Sequence, residues 1–239
     1  MHLAILMTNT DESAFAQLHP KDGEKFTALI HLVRPDWTTE VFAVKDGIFP
    51  DDLSGFDGAM ITGSPSSVLN DAGWTRRLLD LIRAMNEQEM PIFGACYGHQ
   101  AIAMALGGAL GDNPVGWVHG LTTNEIIAKE SWMGHLPDRI HLYASHKEQV
   151  TKLPEGARNL AISAQCRTAG FAIGNHIFTT QHHPEMEPGF VTALTEEMAP
   201  VLGDAILAQA RSSLTRAADQ QDYAESVAQF FEQARAGCS

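Results

Sequence analysis

Short apolar runs alternate with stretches of helical periodicity through the first half of this chain. Runs of this length without polar alternation are typical of strands that are buried on both faces of a parallel sheet. The predicted strands cover residues 2–7, 39–44, 58–62 and 91–95, and helices are predicted between or after them around 26–33, 74–85 and 101–106. This order predicts an α/β fold in three layers, a mostly parallel sheet with helices on both faces.

The second half of the chain is less regular. Residues 111–120 are expected to form a loop, and from Pro188 onward the pattern is helical. Further strands are predicted at 139–144, 159–164 and 176–180. Since no change of composition marks a linker, we expect a single domain over 1–239, with 188–239 as its helical C-terminal extension.

Charge and cysteine content restrict the partners and the compartment. The formal net charge is −13, which repels phosphate backbones and anionic membranes, so no nucleic-acid or membrane partner is expected. The three cysteines, Cys96, Cys166 and Cys238, lack the spacing of a disulfide framework or a metal site. The amino terminus has no signal-peptide pattern. We therefore expect a cytoplasmic protein.

The segment 94–100, with the sequence Gly-Ala-Cys-Tyr-Gly-His-Gln, places Cys96 between a predicted strand and a predicted helix. The amino terminus of a helix favours negative charge, so it favours the thiolate form of a cysteine. Its free N–H groups can also stabilise an oxyanion. A lone cysteine is more commonly a small buried hydrophobic residue, but the whole segment favours a nucleophile.

A thiol nucleophile needs a base, and the base needs a group that orients it. Residues 181–185, Gln-His-His-Pro-Glu, supply both at the end of a predicted strand. His183 is the predicted base and Glu185 its orienting group. The adjacent His182 leaves a metal site with His183 and Cys96 as an alternative, which is disfavoured because no further ligand has zinc-site spacing. No metal and no cofactor are expected.

A loop at 61–68 follows another predicted strand and is rich in turn-forming residues. In a parallel sheet it lies at the same edge as Cys96. A backbone N–H of Gly63 or Ser64 can then pair with that of Tyr97 as an oxyanion hole. On its own this segment is an ordinary loop, so the prediction depends on its neighbours.

These three segments, in this order, resemble the class I glutamine amidotransferases, most closely the glutaminase domain of GMP synthetase. The family's Gly-x-Cys-x-Gly-x-Gln motif is matched at every position by Gly94, Cys96, Gly98 and Gln100. Its His-Pro-Glu motif is matched by 183–185. Its Gly-Gly-Pro motif is matched by 63–65, with serine in place of the second glycine. The resemblance implies a flavodoxin-like fold.

The resemblance also implies which residues contact the substrate. The segment 144–150 is similar to the family's Ser-His-Gly-Asp-x-Val loop, with Lys147 and Glu148 in place of Gly and Asp. By this similarity the catalytic residues are retained and the substrate loop is altered. The oxyanion donors implied are Ser64 and Tyr97, and the substrate-binding residues implied are Gly63, Gly98, Gln100, Ser145 and His146.

The implied reaction is hydrolysis of the γ-carboxamide of glutamine through a γ-glutamyl thioester on Cys96. No pyrophosphate-binding synthetase motif is present in the sequence, so we expect the chain to pass ammonia to a separate synthetase or to act alone. The alternative is a γ-glutamyl peptidase with the same catalytic residues, and a catalytically silent binding protein is the third reading. The expected partners are glutamine or a γ-glutamyl compound, with a synthetase and a second copy of this chain as candidates.

Overall fold

The computed structural model describes residues 1–70 and 72–237. Cys238, one of the three cysteines considered above, lies outside these residues. None of the helices in the described part is long and apolar enough to cross a membrane.

The strands are short, as the apolar runs predict. In chain order they are β1 (His2–Leu6), β2 (Thr38–Phe42), β3 (Gly58–Ile61), β4 (Ile92–Ala95), β5 (Ala109–Asp112), β6 (Val118–Ile126), β7 (Arg139–His146), β8 (Glu148–Lys152), β9 (Arg158–Ser163), β10 (Gly170–Ile173) and β11 (Ile177–Thr180).

The helices alternate with strands in the first half and follow one another in the last fifty residues. They are α1 (Ala14–Gln17), α2 (Asp22–His31), α3 (Gly73–Glu87), α4 (Tyr97–Ala105), α5 (Pro188–Glu197), α6 (Ala199–Leu202), α7 (Asp204–Ser213) and α8 (Gln220–Gly237).

The main sheet has the strand order β2-β1-β3-β4-β11-β10-β9-β6-β7, and β5 and β8 form a separate antiparallel pair. The strands from β2 to β11 in this order are parallel to one another. The strands from β11 to β7 pair antiparallel. The predicted α/β fold with a parallel sheet at its centre is confirmed, and the antiparallel strands extend that sheet on one side.

Helices cover both faces of the sheet because successive side chains of its buried strands point to opposite faces. On one face Leu3 and Ile5 of β1 belong to a cluster with residues of α2 and α8. On the other face Ala4 and Leu6 belong to a cluster with residues of α3 and α4. The three predicted layers are therefore present.

The loop predicted over 111–120 is wrong in part, because β5 extends to Asp112 and β6 begins at Val118. Glycine in this segment suggested a loop, but Gly120 is a strand residue with φ of 98°. A Cβ at this position would lie 2.9 Å from Cα of Ala210 in α7. Close approach of a helix to the strand, and not a turn, therefore accounts for this glycine.

Candidate active site

Three loops meet at one edge of the sheet because β3, β4 and β11 are neighbours and run in the same direction. Ile61 of β3 is aligned with Gly94 of β4, and Ala95 of β4 is aligned with Thr180 of β11. The N–H of Cys96 continues this pairing by donating to the carbonyl of Thr180 at 2.9 Å. The residues that follow each strand therefore emerge side by side, at the edge where open parallel sheets place their sites.

Cys96 lies on a sharp turn between β4 and α4. Its φ of 51° and ψ of −103° fall in a region that residues other than glycine rarely adopt. Such a backbone conformation costs about 1–3 kcal/mol. A Cβ at Gly98 would lie 2.4 Å from the carbonyl oxygen of Ile61, and one at Gly94 would lie 2.7 Å from the carbonyl carbon of Gly98. Both glycines are thus required by the close approach of α4 to the sheet.

His183 follows β11 and is held from both sides. Its N–H donates to the carbonyl of Tyr143 in β7 at 2.8 Å. Its ring Nδ1 lies 2.7 Å from Oε1 of Glu185, and both side chains are buried. Glu185 therefore fixes the ring and its tautomer, which leaves Nε2 for other partners.

The electrostatics of His183 link it to Cys96. Burial by itself lowers the pKa of His183, but the carboxylate of Glu185 and the thiolate of Cys96, close by, together outweigh it and raise that pKa well above its usual value. Apart from Cys96, Nε2 of this ring has no hydrogen-bond partner among the described residues. These neighbouring negative charges favour the protonated form of the His183 ring.

His182 does not join this group. Its Nδ1 lies 2.6 Å from Oδ1 of Asn124 in β6, and its side chain is fully buried. In residues 1–70 and 72–237 no three His, Cys, Asp or Glu side chains are grouped as ligands of a metal ion. The ligand set considered for a metal site, His182 with His183 and Cys96, is therefore not assembled.

Two threonine hydroxyls hold the loop after β3. Thr8 Oγ1 lies 2.9 Å from the carbonyl oxygen of Thr62 and 3.0 Å from that of Gly63, so its one proton is shared between these two acceptors. Thr62 Oγ1 donates to the carbonyl of Gly63 at 3.1 Å. Thr8 follows β1, which flanks β3 on the side opposite to β4. The C=O and N–H of a trans peptide point in opposite directions, and the described chain contains no cis peptide. The N–H of Ser64 is therefore directed away from the hydroxyl of Thr8.

A cavity of about 430 Å³ opens beside Cys96. Of the residues predicted to form the site, Cys96 and His183 line this cavity together with Gly63, Ser64 and Ser145. Tyr97 is the first residue of α4, so its N–H has no acceptor within the helix.

Other predicted substrate contacts lie behind the cavity wall. Gly98 packs on β3 as described above, and Gln100 donates to the carbonyl of Glu148 at 3.0 Å. His146 Nδ1 lies 3.0 Å from the same carbonyl oxygen, and burial lowers the pKa of His146 to about 4. The structure does not bring Gly98, Gln100 or His146 to the cavity, so their contact with substrate stays a prediction.

The altered substrate loop is tied to the loop after β3. Oε2 of Glu148, which stands where the resembling family has aspartate, accepts a hydrogen bond from Ser67 Oγ at 2.8 Å. This bond connects the two segments, and neither of its side chains lines the cavity.

The outer wall of the cavity was not predicted from the sequence. Phe15 of α1 and Phe190 of α5 line it, with ring centroids 5.9 Å apart. Nζ of Lys25 lies 3.5 Å from the centroid of the Phe190 ring, a cation–π contact. A helix as short as α1 carries no detectable periodicity, and its one sequence signal is Ser13, whose hydroxyl accepts from the N–H of Ala16 as an N-cap.

Comparisons with known proteins identify the family to which this chain is similar. A family model described as "Glutamine amidotransferase class-I" matches residues 14–193. Gamma-glutamyl peptidase 3 of Arabidopsis thaliana is 35% identical over 154 residues, which are 61% of this chain and 62% of that protein. A subunit of the glutamine-hydrolysing GMP synthase of Sulfolobus acidocaldarius is 31% identical over 62% of this chain and 77% of that protein.

Solved structures show the same fold. The crystal structure of a glutamine amidotransferase from Thermotoga maritima superposes with a TM-score of 0.77 and 16% sequence identity, over 98% of this chain and 97% of that one. A glutamine amidotransferase from Methylobacillus flagellatus superposes with a TM-score of 0.76 and 21% identity, over 97% of this chain and 94% of that one.

Proposed function

This chain belongs to the class I glutamine amidotransferases, and we propose that it hydrolyses a γ-glutamyl amide bond through a thioester on Cys96. The observation that carries the proposal is the position of Cys96, on a strained turn at the amino terminus of α4, beside the buried pair of His183 and Glu185. A nucleophile, a base and an orienting group in this order are what acyl transfer by a thiol requires.

In the proposed mechanism Cys96 Sγ gives its proton to Nε2 of His183 and attacks the γ-carbonyl carbon of the substrate. Glu185 accepts from the Nδ1–H of His183 and stabilises the imidazolium that forms. The tetrahedral intermediate collapses as the amine leaves with the proton from His183. Water, deprotonated by His183, then attacks the thioester, which releases glutamate and returns the thiol.

The oxyanion of each tetrahedral intermediate needs two donors in fixed positions. The N–H groups of Ser64 and Tyr97 are the proposed donors. The direction of the Ser64 N–H, set by the hydroxyls of Thr8 and Thr62 on the Gly63 carbonyl, supports this assignment. A donor held in place before the reaction has no reorganisation to undergo when charge develops.

Glutamine is the first candidate substrate. Relatives named as subunits of a glutamine-hydrolysing GMP synthase support it. Ammonia released from glutamine would then pass to a separate synthetase, which is the proposed partner, and a second copy of the chain remains a candidate. A cytoplasmic location is proposed from the sparse, unpaired cysteine content.

A γ-glutamyl peptide is the second candidate, and the cavity beside Cys96 favours it. Its volume of about 430 Å³ falls within the range of sites for ligands larger than an amino acid. Its outer wall carries the aromatic rings of Phe15 and Phe190, which can cover an apolar or aromatic leaving group. The relatives named γ-glutamyl peptidases support the same reading.

The experiment that tests both candidates measures glutamate release from purified protein. Glutamine and a panel of γ-glutamyl peptides are supplied separately, with Cys96→Ala as the control variant. Fast turnover of glutamine by the wild type and none by Cys96→Ala supports the amidotransferase, and turnover confined to peptides supports the peptidase. Glutamate release by a folded Cys96→Ala protein at the wild-type rate contradicts both candidates.

A further inference from the structure

The side chain of Gln181 is fully buried next to Cys96 and has no part in the mechanism above. Gln181 precedes the two histidines at the end of β11. Its Nε2 lies 3.7 Å from Sγ of Cys96, within the range of a hydrogen bond to sulfur. A buried amide beside the reacting atom therefore needs an explanation.

The direction of this amide is determined by a chain of hydrogen bonds that starts at a backbone carbonyl. The carbonyl oxygen of Glu148 can only accept, so the side-chain group of Gln100 that lies 3.0 Å from it is the NH₂ group. The second N–H of that group donates to Oε1 of Gln181 at 3.1 Å. Since Oε1 of Gln181 faces Gln100, its NH₂ group is the end that faces the sulfur.

We propose that Gln181 donates an N–H to the Cys96 thiolate and that Gln100 is the positioning residue that holds Gln181 in this orientation. The inference rests on the proposed function only in taking Cys96 as the nucleophile. A hydrogen bond to a charged acceptor is stronger than one to a neutral acceptor, so this donor stabilises the thiolate more than the thiol. It also fixes the sulfur between His183 and the cavity.

The proposal gives the last position of the Gly-x-Cys-x-Gly-x-Gln motif a role in this chain. Gln100 lies four residues after Cys96, one turn along α4, and its side chain is buried away from the cavity. An aliphatic side chain would fill the same space but would leave the Gln181 amide free to rotate. The polarity of the pair, and not only its volume, is therefore what the site requires.

Other ionisable groups interact with Cys96 and remain in place when Gln181 is changed. His183, with Glu185 behind it, faces the sulfur from the loop after β11. The thiol of Cys166 is near enough to interact with Cys96, and burial raises the pKa of Cys166 to about 12. A change measured on removal of the Gln181 amide is thus assigned to that amide.

The test is the pH dependence of Cys96 alkylation by iodoacetamide, followed by mass spectrometry of the peptide that carries Cys96. Methionine has nearly the length of glutamine and no N–H, so Gln181→Met keeps the volume and removes the donor. We expect the midpoint of the alkylation profile to rise by about one pH unit, which makes alkylation about tenfold slower below the wild-type midpoint. The readout needs no substrate, so it stays separate from the test of turnover.

Gln100→Met leaves Gln181 in place and removes the hydrogen bond that orients its amide. We therefore expect the midpoint of the alkylation profile to rise by a smaller amount. This variant decides the question if Gln181→Met does not fold. Gln229→Met is the matched control, because Gln229 is a half-buried glutamine of α8 whose Nε2 donates to Oε1 of Glu225 at 3.0 Å. Profiles of folded Gln181→Met or Gln100→Met that coincide with the wild type would overturn the proposal, whatever the turnover of glutamine.

Discussion

At the scale of single residues, the backbone of Cys96 shows where the fold stores strain. A non-glycine residue at φ of 51° persists because β4, α4 and the bond to Thr180 fix the residues around it. Two glycines at positions 94 and 98 allow this, since any side chain there would collide with the neighbouring backbone. This strained backbone conformation places Cys96 at the edge of the cavity.

Glu185 orients the proposed base without taking its proton, which leads to a graded prediction. We expect His183→Ala to lower kcat by about 10⁴-fold or more, since the proton acceptor is lost. Glu185→Gln keeps an oxygen that can accept from Nδ1–H, so we expect a smaller loss of about 10²-fold. Steady-state kinetics on the best substrate measures both values. A larger loss in Glu185→Gln than in His183→Ala would contradict the assignment.

Thr8 tests the proposed oxyanion hole without touching the substrate. Thr8→Val removes the hydroxyl that holds the Gly63 carbonyl at 3.0 Å and nearly keeps the volume. We expect kcat to fall by about tenfold with little change in KM, because the loss is felt in the transition state. Thr8→Ser should restore most of the rate.

The matched control for Thr8 is Thr27→Val in α2, whose hydroxyl donates to the carbonyl of Gly23 at 2.9 Å. This bond also links a threonine to a glycine carbonyl, but neither residue lines the cavity. An equal fall of kcat in both variants would show that a general loss of stability, and not the position of the Ser64 N–H, explains the effect.

At the scale of elements, α8 belongs to the core and not to the mouth of the site. Phe230 and Phe231 of this helix are fully buried in the cluster that includes β1 and β3. By contrast, α5 contributes Phe190 to the cavity wall, and Met198, between α5 and α6, also lines it. The helices after Glu185 thus divide between packing in the core and covering the site.

Phe230→Ala tests the contribution of α8 to stability. The ring centroid of Phe230 lies 5.3 Å from that of Trp132 and 5.7 Å from that of Phe178. Truncation to alanine leaves a cavity among these rings, so we expect the free energy of unfolding to fall by about 3–5 kcal/mol. Urea denaturation measures the loss. Val201→Ala, at a side chain 60% exposed on α6, is the control, and a loss no larger than in this control would contradict the role of α8.

At the scale of the whole molecule, buried histidines make the folded state sensitive to acid. Burial lowers the pKa of His99 to about 3 and the pKa values of His119 and His146 to about 4. Each pKa is below the value of about 6.5 expected in the unfolded chain. At these three histidines the unfolded chain therefore binds more protons between these limits, and their contribution to stability is fully present only above about pH 6.5.

We expect the free energy of unfolding to fall as the pH falls from about 6.5 toward 4, by up to about 1.4 kcal/mol per pH unit for each neutral histidine. Denaturation at about pH 7, 6 and 5 measures the slope. His99→Gln should reduce the pH dependence of the free energy of unfolding by the contribution of one histidine. His135→Gln, at an exposed position, should leave it unchanged. A stability that is constant between about pH 7 and pH 5 would contradict the prediction.

The α/β class and the local motifs could be predicted from the sequence, because both depend on short-range patterns. Apolar runs identified β1, β3 and β4, and the order of glycines around Cys96 predicted the turn. Elements without such a pattern were missed. The strand β8 mixes polar and apolar residues, β10 has only four residues, and α1 is a single turn. The strand β6 contains Gly120, which the close approach of α7 requires.

Contacts between residues that are distant in the sequence depend on the tertiary structure. Cys96 and His183 are far apart in the sequence, and the parallel pairing of β4 with β11 brings them together. The same packing placed Gln100 beside Gln181 instead of in the cavity and made Phe15 and Phe190 its outer wall. Contacts of this kind depend on strand order and on the volume between layers, which no local pattern encodes.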